Sequence, residues 1–158
     1  MWERLAARRH LPRWLINTVG GYRPGALADT RPDEYTGMLE FNLTGTWTSC
    51  RAAATRLGSG GAIFNVASRA ALRGSAGAAA YAVSKAGVVR LTQVLADELA
   101  ARRVRVNVVL PALIAAGSGA ARSSPAVPAA EIAAVIAFLC SDAAGAVTGA
   151  TVPVYGWA

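Results

Sequence analysis

Hydrophobic positions along this chain follow two patterns. Short, mainly apolar runs at Trp14–Val19, Ala62–Ala67, Val104–Leu110 and Ala150–Tyr155 are bounded by Gly, Pro or polar residues. Such runs mark strands buried on both faces of a parallel sheet. Between them, apolar residues recur every three or four positions. The longest such stretch runs from about Ala78 to Ala101, with Val88, Leu91, Val94, Leu95 and Leu99 in phase, and predicts an amphipathic helix. Thr30 stands as an N-cap ahead of Pro32, Asp33 and Glu34, which suit a first helical turn. That helix runs into a second, with an interruption or kink near Asn42–Gly45, and ends near Leu57. A further helix is predicted over Pro128–Ala143, opened by its Pro and by Glu131.

The remaining segments separate these elements. Gly58-Ser59-Gly60-Gly61 is a turn, and Ala112–Ala126, rich in Ala, Gly and Ser without a period, reads as a flexible loop. Residues 1–13 read as a short amphipathic helix, with Leu5 and Leu11 against Arg4, Arg8, Arg9 and Arg13, ended by Pro12. Strand and helix alternate. The expected class is therefore α/β, a parallel sheet of about four strands with flanking helices and right-handed crossovers.

Composition narrows the function more than the fold. A chain of 158 residues, 54% hydrophobic and 16% charged, suits one compact domain and excludes disorder. No apolar run reaches the ~18 residues a membrane span needs, and the basic start MWERLAARRHLPRWL lacks a secretory pattern. A cytoplasmic location is expected. Cys50 and Cys140 read as reduced buried thiols. A lone His10 without a ligand cluster gives no metal site. The net charge of +7 comes from scattered arginines with no basic stripe among aromatics, so an anionic cofactor or substrate, not nucleic acid, is the expected use of the field.

One residue breaks the Arg-rich pattern. Lys85 is the only lysine among 16 basic positions. It follows Tyr81 by four residues, so on a helix phenol and ammonium share a face. An ammonium beside a phenol favours the phenolate, and a compact point charge suits that task better than a planar fork. Ser68 closes the apolar run Ala62–Ala67 ahead of this pair. Each has a plainer reading as well: a helix-surface Tyr, a solvated Lys, a turn-capping Ser.

At these residues the chain resembles the short-chain dehydrogenase/reductase family. The ordered matches are NTVG at Asn17–Gly20, Asn42 in FNLTG, IFNVAS ending in Ser68, YAVSK from Tyr81 to Lys85, and RVNVVLP ending in Pro111. The resemblance implies a Rossmann-type parallel sheet and NAD(P) as cofactor, with NAD against NADP left open. It implies a small carbonyl or secondary-alcohol substrate and a homo-oligomer, dimer or tetramer, with no nucleic-acid or membrane partner. It also implies site residues: Tyr81 as general acid/base, Lys85 on the phenol and the nicotinamide ribose, and Ser68 on the carbonyl. Asn42 either helps hold a water beside Lys85 or breaks its helix by bonding its own backbone. Asn17 and Gly20 match a cofactor wall, though Gly20 also suits a strand end; Pro111 and Ile114 match the strand end that meets the carboxamide.

The chain departs from that pattern too. It shows no TGxxxGxG turn, the glycine-rich approach to a pyrophosphate, so it reads as a single truncated domain, residues 1–158, with 14–158 matching the family's C-terminal half. Trp14–Val19 should then lie at the sheet's edge, to be covered by residues 1–13 or a second chain. A truncated gene product or misplaced start, a half-domain working in an oligomer, and a remnant without catalysis remain open. Ala112 and Ala116 stand where the family commonly has Gly and Thr. Weak binding of NAD(P) is expected, and beside the oxidoreductase stands an alternative: a non-catalytic remnant or partner subunit that oligomerises but binds cofactor poorly.

Overall fold

A computed structural model describes residues 12–156 other than Ser75 and 116–125. The helix expected over residues 1–13 and most of the loop expected over 112–126 lie outside the described residues. Four strands, β1 (Trp14–Asn17), β2 (Ala62–Val66), β3 (Arg105–Pro111) and β6 (Thr151–Val154), form one sheet in the order β1-β2-β3-β6. Every pairing is parallel. Two short strands, β4 (Ile114–Ala115) and β5 (Val127–Pro128), make a separate parallel pair. Part of the stretch expected to be loop is thus ordered, held by the Val127 amide donating to the Leu113 carbonyl. Period-based reading misses strands of two residues.

Among the described residues four α-helices flank the sheet: α1 (Pro32–Leu39), α2 (Gly45–Ala54), α3 (Ala79–Leu99) and α4 (Ala129–Cys140). Register divides the strand side chains between two faces. Ile63 and Val106 pack with Leu57, Leu95 and Leu99 under α2 and α3. Phe64 and Val109 pack with Ile132, Ile136 and Leu139 of α4. Val88 of α3 closes on Val108 and Leu110. Burial on both faces accounts for the mainly apolar runs of β2 and β3, whereas β1, expected to be buried likewise, leaves Trp14 and Ile16 exposed because it is the outer strand.

Three details differ from the sequence reading. The cap of α1 is Arg31, whose amide donates to the Glu34 carboxylate, while Thr30 turns its hydroxyl to the Ala26 carbonyl. The expected kink is a π-helical turn over Glu40–Thr44 that joins α1 to α2, a form frequent at functional sites. Val94, in phase with the buried stripe of α3, is exposed.

Candidate active site

Lys85 reaches the site because α3 buries it. Its Nζ donates to the Val66 carbonyl at 3.1 Å and lies 6.0 Å from the centroid of the Tyr81 ring, one turn earlier on the helix. Its side chain is 4% exposed, and that burial lowers the ammonium from 10.5 to about 8 because desolvation disfavours charge. No carboxylate among the described residues is paired with it. The approach depends on Gly20. A Cβ at that position would lie 2.6 Å from Nζ and 3.2 Å from Asn42 Oδ1.

Asn42 sits on the π-helical turn, wholly buried. Its Oδ1 accepts from the Gly21 amide at 2.8 Å, and its Nδ2 donates to the Gly21 carbonyl at 3.0 Å and to Ser84 Oγ at 3.0 Å. Ser84 in turn donates to the Tyr81 carbonyl at 2.7 Å. Asn42 therefore ties the loop after β1 to the turn of α3 that carries Tyr81 and Lys85. The extra residue of the π turn brings this amide to the loop instead of to its own helix backbone.

A cavity of about 610 Å³ opens beyond the carboxyl ends of β2 and β3, and Ser68, Tyr81, Pro111 and Ile114 line it together. Ser68 is extended, and its Oγ accepts from the Ala70 amide at 3.2 Å. The capping role uses an oxygen lone pair and leaves the hydroxyl proton for another acceptor. Among the wall residues not singled out from the sequence are an aromatic, Tyr22, and two cations, Arg69 and Arg73. Tyr22 meets the Tyr81 ring edge-on, centroids 5.1 Å apart, and fixes its orientation. An aromatic in a loop carries no periodic signal, so only the fold reveals the contact.

Asn17 and Gly20 lie apart from this cavity. Asn17 donates to Asn65 Oδ1 at 2.8 Å and to Cys50 Sγ at 3.4 Å, and Asn65 continues to Thr92 Oγ1 at 2.9 Å. This ladder satisfies the polar groups between β1, β2 and α3. Among the described residues no His, Cys, Asp and Glu gather as a metal site, and no helix is long and apolar enough to cross a membrane.

A parallel sheet wrapped by helices, with its cavity outside the strands' carboxyl ends, is the plan of a Rossmann-type α/β protein. The chain belongs to the short-chain dehydrogenase/reductase family, a family of oxidoreductases: residues 4–156 match the family model described as Enoyl-(Acyl carrier protein) reductase. It is 40% identical over 102 residues to 3-oxoacyl-[acyl-carrier-protein] reductase of Rattus norvegicus, covering 64% of this chain and 43% of the relative. It is 34% identical over 151 residues to trans-4-hydroxycyclohexanecarboxylate dehydrogenase of Sinomonas cyclohexanicum, covering 90% of this chain and 58% of the relative. Among solved structures, a short-chain dehydrogenase from Burkholderia cenocepacia in complex with NADP matches with a TM-score of 0.83 and 30% identity, over 90% of this chain and 64% of that one. A 4-hydroxyisoleucine dehydrogenase complexed with NADH and succinate matches with a TM-score of 0.83 and 27% identity, over 99% of this chain and 73% of that one. The chain spans about half the length of the curated relatives it matches, 43% of the rat protein and 46% of a human one.

Proposed function

We propose that this chain carries the proton-transfer half of an NAD(P)-dependent oxidoreductase, reducing a carbonyl or oxidising a secondary alcohol. The observation that carries the reading is the joint presence of Ser68 and Tyr81 in one cavity wall, with the Lys85 ammonium 6.0 Å from the Tyr81 ring. In reduction, the Ser68 hydroxyl donates to the carbonyl oxygen and polarises the C=O bond, while Tyr81 gives its phenolic proton to that oxygen; in oxidation the phenolate takes the proton back. Lys85 places its ammonium on the same helix face, 6.0 Å from the centroid of the Tyr81 ring. A nicotinamide cofactor, when bound, supplies or accepts the hydride at carbon.

The residues present suit the nicotinamide end of such a cofactor. Lys85 has three N–H donors and, among the described residues, one protein acceptor, Val66, and Gly20 leaves open the space beside it that a Cβ would fill. A ribose hydroxyl suits those donors. For the adenosine end, the described strands are followed by no glycine-rich turn that opens a helix, and β1 is the outer strand. Weak cofactor binding by this chain alone is the expectation, and the second reading is a non-catalytic partner that assembles with a further subunit.

Two measurements separate the readings. Consumption of NADPH or NADH with a panel of ketones should be detectable and should fall about 10²–10⁴-fold in Tyr81→Phe; an unchanged rate in that variant would remove the mechanism. Fluorescence titration with each nucleotide should give a dissociation constant weaker than about micromolar.

A further inference from the structure

Arg69 and Arg73 also line the cavity that holds Ser68 and Tyr81, and among the described residues no Asp or Glu lines it. Elsewhere the described ion pairs engage Arg13, Arg23 and Arg31. Arg69 and Arg73 have no carboxylate partner among the described residues. Arg69 is half-buried, its guanidinium 5.8 Å from the centroid of the Tyr155 ring, a contact that holds the group in place without neutralising it. Arg73 follows on the same loop, one residue after the 3₁₀ turn Arg69–Ala71 and Leu72. The rest of the wall is largely apolar, including Ala67, Ala70, Ala112, Leu113 and Ile114. Two unneutralised cations in a concave, mostly apolar wall focus a positive field on whatever enters.

We propose that Arg69 and Arg73 select substrates that carry an oxyanion beyond the reacting carbon, and that the natural substrate is a small oxo acid or hydroxy acid held by its carboxylate. This rests on the reading of the cavity as the carbonyl site. Arginine forks fit a carboxylate through paired N–H donors, and about 610 Å³ accommodates a small molecule with a short spacer between its two ends. A cofactor phosphate offers the same oxyanion chemistry. Pro111 and Ile114, matched to the carboxamide end of a cofactor, share this wall, but the substrate is favoured because Ser68, the proposed carbonyl donor, is the immediate chain neighbour of Arg69.

The test compares levulinate with methyl levulinate, the same ketone with its carboxylate free or masked, by saturation-transfer NMR on the full chain without nucleotide. Levulinate should bind at least about fivefold more tightly than the ester. Arg73→Gln, at an exposed side chain, should cut that preference about threefold, and Arg69→Gln/Arg73→Gln should abolish it while ester binding holds; Arg73→Lys should retain part of it. Equal binding of acid and ester, or a preference untouched in the double variant, overturns the proposal. Displacement of levulinate by ADP-ribose, which carries the cofactor phosphates without the nicotinamide, also overturns it and assigns the guanidiniums to the nucleotide. Tyr81→Phe should keep the acid preference. If the wild-type chain prefers the acid yet turns nothing over, the anion site stands and the catalytic reading fails.

Discussion

Lys85 couples the stability of this protein to pH in an unusual direction. Burial lowers its ammonium from 10.5 to about 8, so at neutral pH folded and unfolded chains both carry the charge and the folded one bears the desolvation cost. Between about pH 8 and about 10.5 the unfolded chain binds more protons, so stability rises with pH and the cost is relieved. We expect the wild type to gain up to about 3 kcal/mol relative to Lys85→Met across that window. Denaturant unfolding of both proteins at its two ends measures this; a difference that stays flat or shrinks would contradict the burial argument. At Gly20 the expected effect is on chemistry. A Cβ there meets the tip of a flexible side chain, 2.6 Å away, so Gly20→Ala should lower stability by less than about 1 kcal/mol. Moving the ammonium off its place should reduce turnover about 10-fold or more. Thermal unfolding read alongside the rate distinguishes the two effects.

At the scale of elements, α3 is placed by a close crossing. A Cβ on Gly87 would lie 2.7 Å from one methyl of Leu43 and 3.1 Å from the other, so the π-helical turn sits directly against the helix that carries Tyr81 and Lys85. Gly87→Ala gains about 1 kcal/mol of helix propensity but overpacks this contact, at a cost of about 1–3 kcal/mol. We expect a net loss with Leu43 present and a net gain in the Leu43→Ala background. A double-mutant cycle by urea unfolding reads that coupling, and additive values would show that the crossing has slack. Strands and helices of four residues or more could be read because apolar runs or one buried stripe mark them. The Tyr81–Lys85 spacing could be read because a helical turn converts it directly into a shared face. The π-helical turn appeared in the sequence only as a break, since Asn42 suits both a helix interruption and a long-range bracket. Tyr22, Arg69 and Arg73 join the site through loop geometry alone, which leaves no mark in local pattern.

For the molecule as a whole, the outer strand sets the main liability. Trp14 and Ile16 pair in register with Ala62 and Phe64 and so share the α4 face of the sheet. Phe64 is buried there under α4, whereas Trp14 and Ile16 remain 42% and 43% exposed. Arg13 partly screens this end, stacking 5.6 Å over the Trp14 ring while pairing with Asp142 at 2.7 Å. Leu15, on the opposite face, packs on the α2–α3 core. An outer strand with apolar side chains standing clear of the helices invites strand-to-strand association. Ile16→Lys places a charge on that face and leaves the Leu15 contacts intact, so it should change stability by less than about 1 kcal/mol. In sedimentation velocity over a range of concentrations, the wild type should show a rising share of dimer or larger species and Ile16→Lys should suppress it. Identical profiles for the two proteins would mean that this face is not the association surface. Suppression together with an unchanged melting midpoint would place the self-association of this chain on β1, at the far edge of the sheet from β6.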